Sequence, residues 1–410
     1  MSNFWMDLRP VLSSLSRHKT AAFLIVLEIA LSCALICNAV FVIGQRRELM
    51  NVSTAVAENE LVRVQTIGLR KDENPDVRTR EDITLLRGIA GVRDVTISSQ
   101  VPFGNSSWNT GYSLRKDQEK PTAHLSLYMI GERFLDTTGL RLLEGRDFLP
   151  EEYQSMAVLD KIEGDAPMPS VLLNHAAAEK LFPGDSALGK EIWNGDVASR
   201  VIGIVDDILP PNPRQGNTAA VLQPVRFNYA NGGSYLLRVA PEDRDRVLKE
   251  AGVLLDKAMH ERIIFRLERM DEMRSKYFRE DRALAWLLGI VSLAMLLITA
   301  LGIVGLASFW VQQRTQMIGV RRALGATRHQ ILRYFQLENL LLSSAGIALG
   351  MLAAYAINYV LMKQHELAPM PLWYLPVGTL GLWALGQLAV LGPAMRAAAV
   401  PPVVATRGLA

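Results

Sequence analysis

The sequence predicts an α-helical membrane protein with four transmembrane helices and a large α+β domain held outside the cytoplasm between the first and second of them. Three observations carry this reading. Four stretches, at residues 20–45, 283–312, 336–362 and 367–395, are apolar and long enough to cross a hydrocarbon core of about 30 Å. One polar stretch of mixed charge, residues 46–282, separates the first from the second. The connector at 313–335 carries Arg314, Arg321, Arg322, Arg328 and Arg333 with no Asp or Glu, the charge bias of a cytoplasmic loop.

The chain has 410 residues, 50% of them hydrophobic, and a formal net charge of only +3. That balance gives a nucleic-acid partner no support. Both cysteines, Cys33 and Cys37, fall in the first apolar stretch, so the polar middle must fold on its own apolar core without disulfides.

Taken in order, Arg9, Arg17 and Lys19 lie in a cytoplasmic N-terminal segment, 1–19, ahead of the first span. From Thr20 to Gln45 the only charge is Glu28. The apolar part is too long for the core of a cleaved signal peptide, so a retained helix with its N-terminus inside is expected. In the middle domain, Leu61–Ile67 and Val92–Ser98 read as strands around a helix near Thr79–Ile89. A second such unit follows, with Tyr235–Val239, a helix from Glu242 to about Met259, and Ile263–Leu267. These two βαβ-like units form a base, and the loop-rich region of about 130–231 between them reads as an inserted mixed subdomain. Residues 266–282 are charge-dense and free of Gly and Pro up to the second span, which predicts a continuous helical stalk. In the third span Gly346, Gly350, Ala354 and Asn358 recur every fourth residue, a stripe small enough for close helix approach; an intersubunit and an intrasubunit face fit it equally. Residues 396–410 form a cytoplasmic tail.

The arginine connector reads as a polar-faced helix at the inner membrane surface, broken at Gly325 and suited to docking on a soluble partner. Its residues Gln313, Arg314, Thr315, Ile318, Gly319, Arg321, Arg322, Ala323, Leu324, Gly325 and Ala326 resemble the coupling segment of MacB/FtsX-type ABC-transporter permeases. Met317 departs from it, standing where the family usually has Glu. Gly131–Phe148, Val171–Lys190 and Val201–Asp206 resemble motif lines of the MacB-type extracytoplasmic domain, and the Pro393–Val403 tail is similar to the family's ending.

The resemblance implies a permease subunit acting with a separate cytoplasmic ABC ATPase. That partner holds the ATP and Mg²⁺, and this chain binds no cofactor of its own. ATP-driven motion would enter at Arg314, Ile318, Gly319, Arg321, Arg322, Ala323, Leu324, Gly325 and Ala326 and reach the outer domain, an arrangement called mechanotransmission. It also implies a second permease subunit, identical or not, membrane lipids around the spans, a periplasmic adaptor as a further partner, and a place in a bacterial inner membrane. Export of a peptide, toxin, lipid-linked or drug-like substrate is the expected role. Regulation of cell-wall hydrolases or lipoprotein release is the alternative within this architecture, and a ligand-binding membrane sensor is the alternative outside it.

Candidate chemistry is otherwise sparse. Gly184–Lys190 reads G-x-x-x-x-G-K but is followed by Glu191, so the hydroxyl that a phosphate loop offers to Mg²⁺ is missing. His260-Glu261 and His365-Glu366 lack the second His of H-E-x-x-H, and no metal site is expected. Glu28 sits mid-span, where a carboxylate costs roughly 2.5–3.5 kcal/mol on insertion scales. A lining or switch role and pairing with Asn358 or Gln387 are both open for it.

Overall fold

A computed structural model describes residues 19–69, 74–104, 107–160, 167–213, 216–258, 262–365, 370–371 and 374–400. The expected N-terminal segment and most of the tail lie outside the described residues. The chain divides into a helical unit, residues 1–48 with 280–410, and a sheet unit, residues 49–279.

The first helix, α1, runs Lys19–Met50. The sheet unit follows, with β1 (Leu61–Gly68), α2 (Pro75–Arg87), β2 (Val92–Ser98), β3 (Asn109–Tyr112), β4 (Ala123–Ile130), β5 (Leu142–Gly145), β6 (Gln154–Ser155) and β7 (Ser170–Asn174). After them come α3 (His175–Leu181), β8 (Glu191–Asn194), β9 (Val197–Val205), β10 (Ala220–Arg226), β11 (Ser234–Val239), α4 (Arg244–Ala258), β12 (Arg262–Arg269) and α5 (Met270–Tyr277).

The strands of the base stand in the order β12-β1-β11-β2, all antiparallel. Each strand–helix–strand unit is therefore split by a strand of the other, the ferredoxin-like arrangement. Period-two alternation sends Val62, Val64, Val95, Ile97, Tyr235 and Leu237 to one face. There they pack on Leu86 of α2 and on Val247, Ala251 and Leu255 of α4. A polar tie runs through this core. Asp82 of α2 accepts from Arg262 Nη2 at 2.9 Å and from the Tyr235 hydroxyl at 2.6 Å. The Asp82 and Arg262 side chains are only 2% and 1% exposed, and burial together with Asp82 pushes the Tyr235 phenol far above its ordinary range.

The insert carries the sheet onward as β2-β4-β10-β7-β9-β5. It starts earlier than residue 130: β4 pairs in parallel with β10 and antiparallel with β3, and meets β2 in register only at Ser98↔Ile130. Sequence pattern hides this, because a strand's alternation does not say which neighbour it takes. The parallel strands β7 and β9 are linked through α3, whose N-cap is Asn174. That fully buried side chain accepts from the N–H groups of Ala177 (3.0 Å) and Ala220 (2.8 Å) and donates to Thr218 O (2.8 Å). One amide thus caps a helix and ties two strands.

The expected helical stalk over 266–282 is corrected. Arg262–Arg269 is an edge strand on β1, and helix resumes in α5 and breaks at Phe278. Phe278 is fully buried in the domain's apolar cluster, and anchoring that ring interrupts the helix that charge and composition alone allow.

Outside the core, Glu152 accepts from Arg146 at 2.6 and 2.9 Å. Arg146, with the Leu149 N–H, holds the Glu152 carboxyl down at about 2 against the opposing effect of burial. A depressed folded-state pKa stabilises above the unfolded value and is lost as pH falls through the folded one. Glu152→Gln should therefore lower the melting temperature of the sheet unit near neutral pH, with the difference vanishing as pH drops from about 4.5 towards 2. Because Arg146 is nearly half exposed, the loss should be modest. Melts across that range check it.

Candidate functional site

The helical unit continues with α6 (Arg279–Gln313), α7 (Thr315–Ala323), α8 (Arg328–His365) and α9 (Tyr374–Ala399). Among the described residues four helices, α1, α6, α8 and α9, are long and apolar enough to cross a membrane.

The connector between α6 and α8 is built by two capping devices. Gly325 stands at φ +97°, a region open to glycine. The N–H groups of Gly325 and Ala326 return to Arg322 O (3.1 Å) and Arg321 O (3.0 Å), the pattern of a Schellman C-cap. Thr327 then opens α8 with a capping box: Gln330 N–H donates to Thr327 Oγ1 (3.3 Å), and Thr327 N–H donates to Gln330 Oε1 (2.9 Å). The T-x-x-Q spacing was a readable signal for a helix start at 328. The stretch expected as the third span, 336–362, lies within one longer helix, α8, that begins at Arg328. Its apolar run of Ile331 and Phe335 packs with Val311, Ile318, Ala394, Ala397 and Ala398 of the same chain. That face is used internally.

The predicted docking residues divide into two sets. Within this chain Arg314, Ile318 and Gly319 are buried, and the half-buried Arg322 is bonded to the end of α9. Arg314 is 8% exposed. Its Nη1 donates to both Glu338 oxygens at 3.1 and 3.0 Å, and its guanidinium lies 5.6 Å from the Trp310 ring centre. Arg322 donates to Ala398 O (2.7 Å) and Val400 O (3.2 Å), satisfying carbonyls at the end of α9. Ile318 is 3% exposed, and Gly319 is buried. The outward set is Arg321, Ala323, Leu324 and Gly325, with Ala326 half-buried. Arg321 lies 5.1 Å over the Tyr334 ring, and Leu324 is 83% exposed.

Two further residues of the connector complete the outer face. Met317 and Val320 are exposed, and with Leu324 they stand at i, i+3 and i+7, one ridge of a helix. The spacing of these three apolar side chains is legible in the sequence, but their exposure is set by what α7 packs against. The ridge can bury against an apolar groove of a partner, with Arg321 beside it to meet an acidic group.

The stripe on α8 is an intrachain face. A Cβ at Gly346 would meet Ile29 Cβ at 2.8 Å, and one at Gly350 would meet Cys33 Cβ at 2.5 Å. Both positions therefore let α8 lie directly on α1. Ala354 is fully buried, and its carbonyl accepts from Asn38 Nδ2 at 3.2 Å. Asn358 Oδ1 accepts from the Met370 N–H at 3.2 Å. Glu28 lies over Gly302 of α6, where an added Cβ would come within 2.5 Å of its carboxylate oxygens. The partners expected for Glu28 are engaged elsewhere, Asn358 as above and Gln387 with Gln336 O at 3.4 Å.

No group of three or more His, Cys, Asp or Glu side chains able to hold a metal occurs among the described residues. The Gly184–Lys190 turn is closed on itself: Lys190 pairs with Asp185 and stacks 4.5 Å from the Phe182 ring centre.

Comparison with known proteins adds the following. Residues 22–252 match the MacB-like periplasmic core domain, and residues 289–402 match the FtsX-like permease C-terminal region. A macrolide export ATP-binding/permease protein MacB 1/2 of Paracoccus denitrificans is 27% identical over 97% of this chain and 58% of its own length. A MacB of Shewanella sp. strain ANA-3 is 24% identical over 86% of this chain and 52% of its own. The chain thus spans about half the length of these curated relatives. The uncharacterized ABC transporter permease YknZ of Bacillus subtilis is 22% identical, covering 98% of each. Among solved structures, the periplasmic region of MacB from Actinobacillus actinomycetemcomitans is 17% identical with a TM-score of 0.34, covering 54% of this chain and 94% of that one. The extracellular domain of YknZ from Gram-positive bacteria is 20% identical with a TM-score of 0.32, covering 50% and 100%.

Proposed function

This chain belongs to the family of MacB-like and FtsX-like ABC-transporter permeases, and on that premise we propose that it is the permease subunit of a system whose ATPase is a separate cytoplasmic chain. The ATPase docks on the outer face of α7, made by Met317, Val320, Arg321 and Leu324. The connector then lies in the cytoplasm and the sheet unit in the periplasm of a bacterial inner membrane, with the N-terminus and tail inside. Movement of the ATPase is passed along α6, whose first residue, Arg279, is the last of the sheet unit, and becomes movement of the periplasmic domain. That output drives export of a peptide, toxin, lipid-linked or drug-like substrate.

The observation that carries this reading is the contrast within α7. Its inner face is held by Arg314–Glu338, Ile318 and the Arg322 bonds to the end of α9, so the helix is locked to the bundle. Its outer face leaves three large apolar side chains in the open. A helix held on one side with an unburied ridge on the other supports the reading of a lever on which a soluble partner presses. A second permease subunit, identical or not, and bilayer lipid would cover α6, where Trp286, Leu293 and Leu301 are 74%, 59% and 70% exposed.

The test is co-purification of the chain with a soluble ABC ATPase encoded beside it. Val320→Glu with Leu324→Glu places charge in the apolar ridge and touches none of the internal bonds. Loss of a central contact of about 2 kcal/mol or more should weaken ATPase binding by roughly thirtyfold. Undiminished binding by a folded double variant would show that the ATPase docks elsewhere.

A further inference from the structure

We propose that a cleft at the join between base and insert binds an apolar group carrying a carboxylate. The cavity holds about 250 Å³, smaller than a drug site and suited to one large side chain or a short acyl tail. Its apolar lining is Ile83 from α2, Val95 and Ile97 from β2, and Phe227 just past β10. Gly131 keeps one wall low: a Cβ there would meet Ile97 Cγ2 at 3.0 Å.

Charge at the cleft favours an anion. Arg80, Arg87 and Arg226 line it, against Asp76 and Glu132. Two of the arginines are committed. Arg87 reaches Asp94 (3.3 Å) and Val95 O (2.9 Å), and Arg226 reaches Glu132 (3.0 Å), Tyr153 O (2.9 Å) and Pro150 O (3.0 Å). Both acids are also engaged, Asp76 by Ser155 and by Asn228 Nδ2 at 3.1 Å, and Glu132 by Arg226. Arg80 differs. Its Nε makes a 3.4 Å contact with Asp76 O, and among the described residues it forms no ion pair. A planar fork with donors to spare, beside an apolar pocket, suits a carboxylate joined to an apolar body.

The walls come from both halves of the sheet: α2 and β2 belong to the base, and Gly131, Glu132, Arg226 and Phe227 belong to the insert. A ligand seated there braces a join that the strands themselves make only at Ser98↔Ile130. The chemistry has two sources, the free C-terminal residue of a peptide or a fatty acid.

The whole chain in lipid nanodiscs is titrated with an N-acetylated tripeptide ending in phenylalanine, with the same peptide as its C-terminal amide, and with octanoate, without ATPase. Binding of either carboxylate, weakened about tenfold in Arg80→Gln as expected for loss of one charge-assisted contact, supports the site. The amide should lose a similar factor, and whichever carboxylate binds names the source. No binding of either carboxylate at millimolar concentration overturns the proposal, as does equal affinity in Arg80→Gln. Arg80 is exposed, so the variant should fold. ATPase docking is not read in this experiment, so its failure leaves the role proposed for α7 untouched.

Discussion

Asp82→Ala is expected to destabilise the sheet unit by about 3–5 kcal/mol, the range found when one partner of a buried ion pair is removed. The substitution strands the Arg262 guanidinium in a core where its side chain is 1% exposed, and it removes the acceptor of the Tyr235 hydroxyl. A buried pair adds little net stability over apolar residues of the same shape, because desolvation offsets the attraction. The larger cost falls on the charge left alone. Asp82→Leu with Arg262→Met should therefore recover most of the loss, and a melt of the double variant as low as that of Asp82→Ala would contradict this account. Chemical denaturation followed by near-ultraviolet circular dichroism reads both variants.

Glu338→Ala carries the second large effect. Arg314 sits between α6 and α7, and Glu338 lies well inside α8, so the pair joins the connector to the third span. Without Glu338, a cation only 8% exposed keeps its stacking on Trp310 but loses its counter-charge. A cost of the same order, about 3–5 kcal/mol, falls on the packing that holds α7. The expected result is a lower melting temperature together with loss of ATP-driven activity in the reconstituted system, even though Met317, Val320 and Leu324 are untouched. Arg314→Met with Glu338→Leu should restore the melt. Full coupling in Glu338→Ala would show that α7 needs no such anchor.

These two sites show why some of the molecule was legible in its sequence and some was not. The spans were readable because bilayer thickness sets a length, and charge-free runs of that length are plain to see. The base strands were readable because Val62 and Val64 flank Arg63, and Leu237 and Val239 flank Arg238, at the spacing of a strand, although Leu61 and Leu236 are buried on the opposite face. The orientation of the connector's arginines was not. Arg314 and Arg322 resemble Arg321 as letters, and what separates them is a carboxylate 24 residues away and a carbonyl 76 residues away. Pattern reports periodicity along a chain, while an ion pair depends on which distant segment folds back. The extent of the insert failed for the same reason, since β4 looks like any half-buried strand until its partners are known. The stripe at Gly346 and Gly350 stood between the two, with its small size evident and its partner, α1, set by the tertiary fold.

Ser98, the last residue of β2, is paired in register with Ser234, the first of β11. The chain leaves the base and re-enters it at two facing positions, so everything between them is a detour that starts and finishes at one doorway. A hairpin turn of two residues can close that gap. The base then keeps its strand order but loses Tyr229, a ring buried in its own core, so a small module made this way needs a new apolar side chain to fill that place.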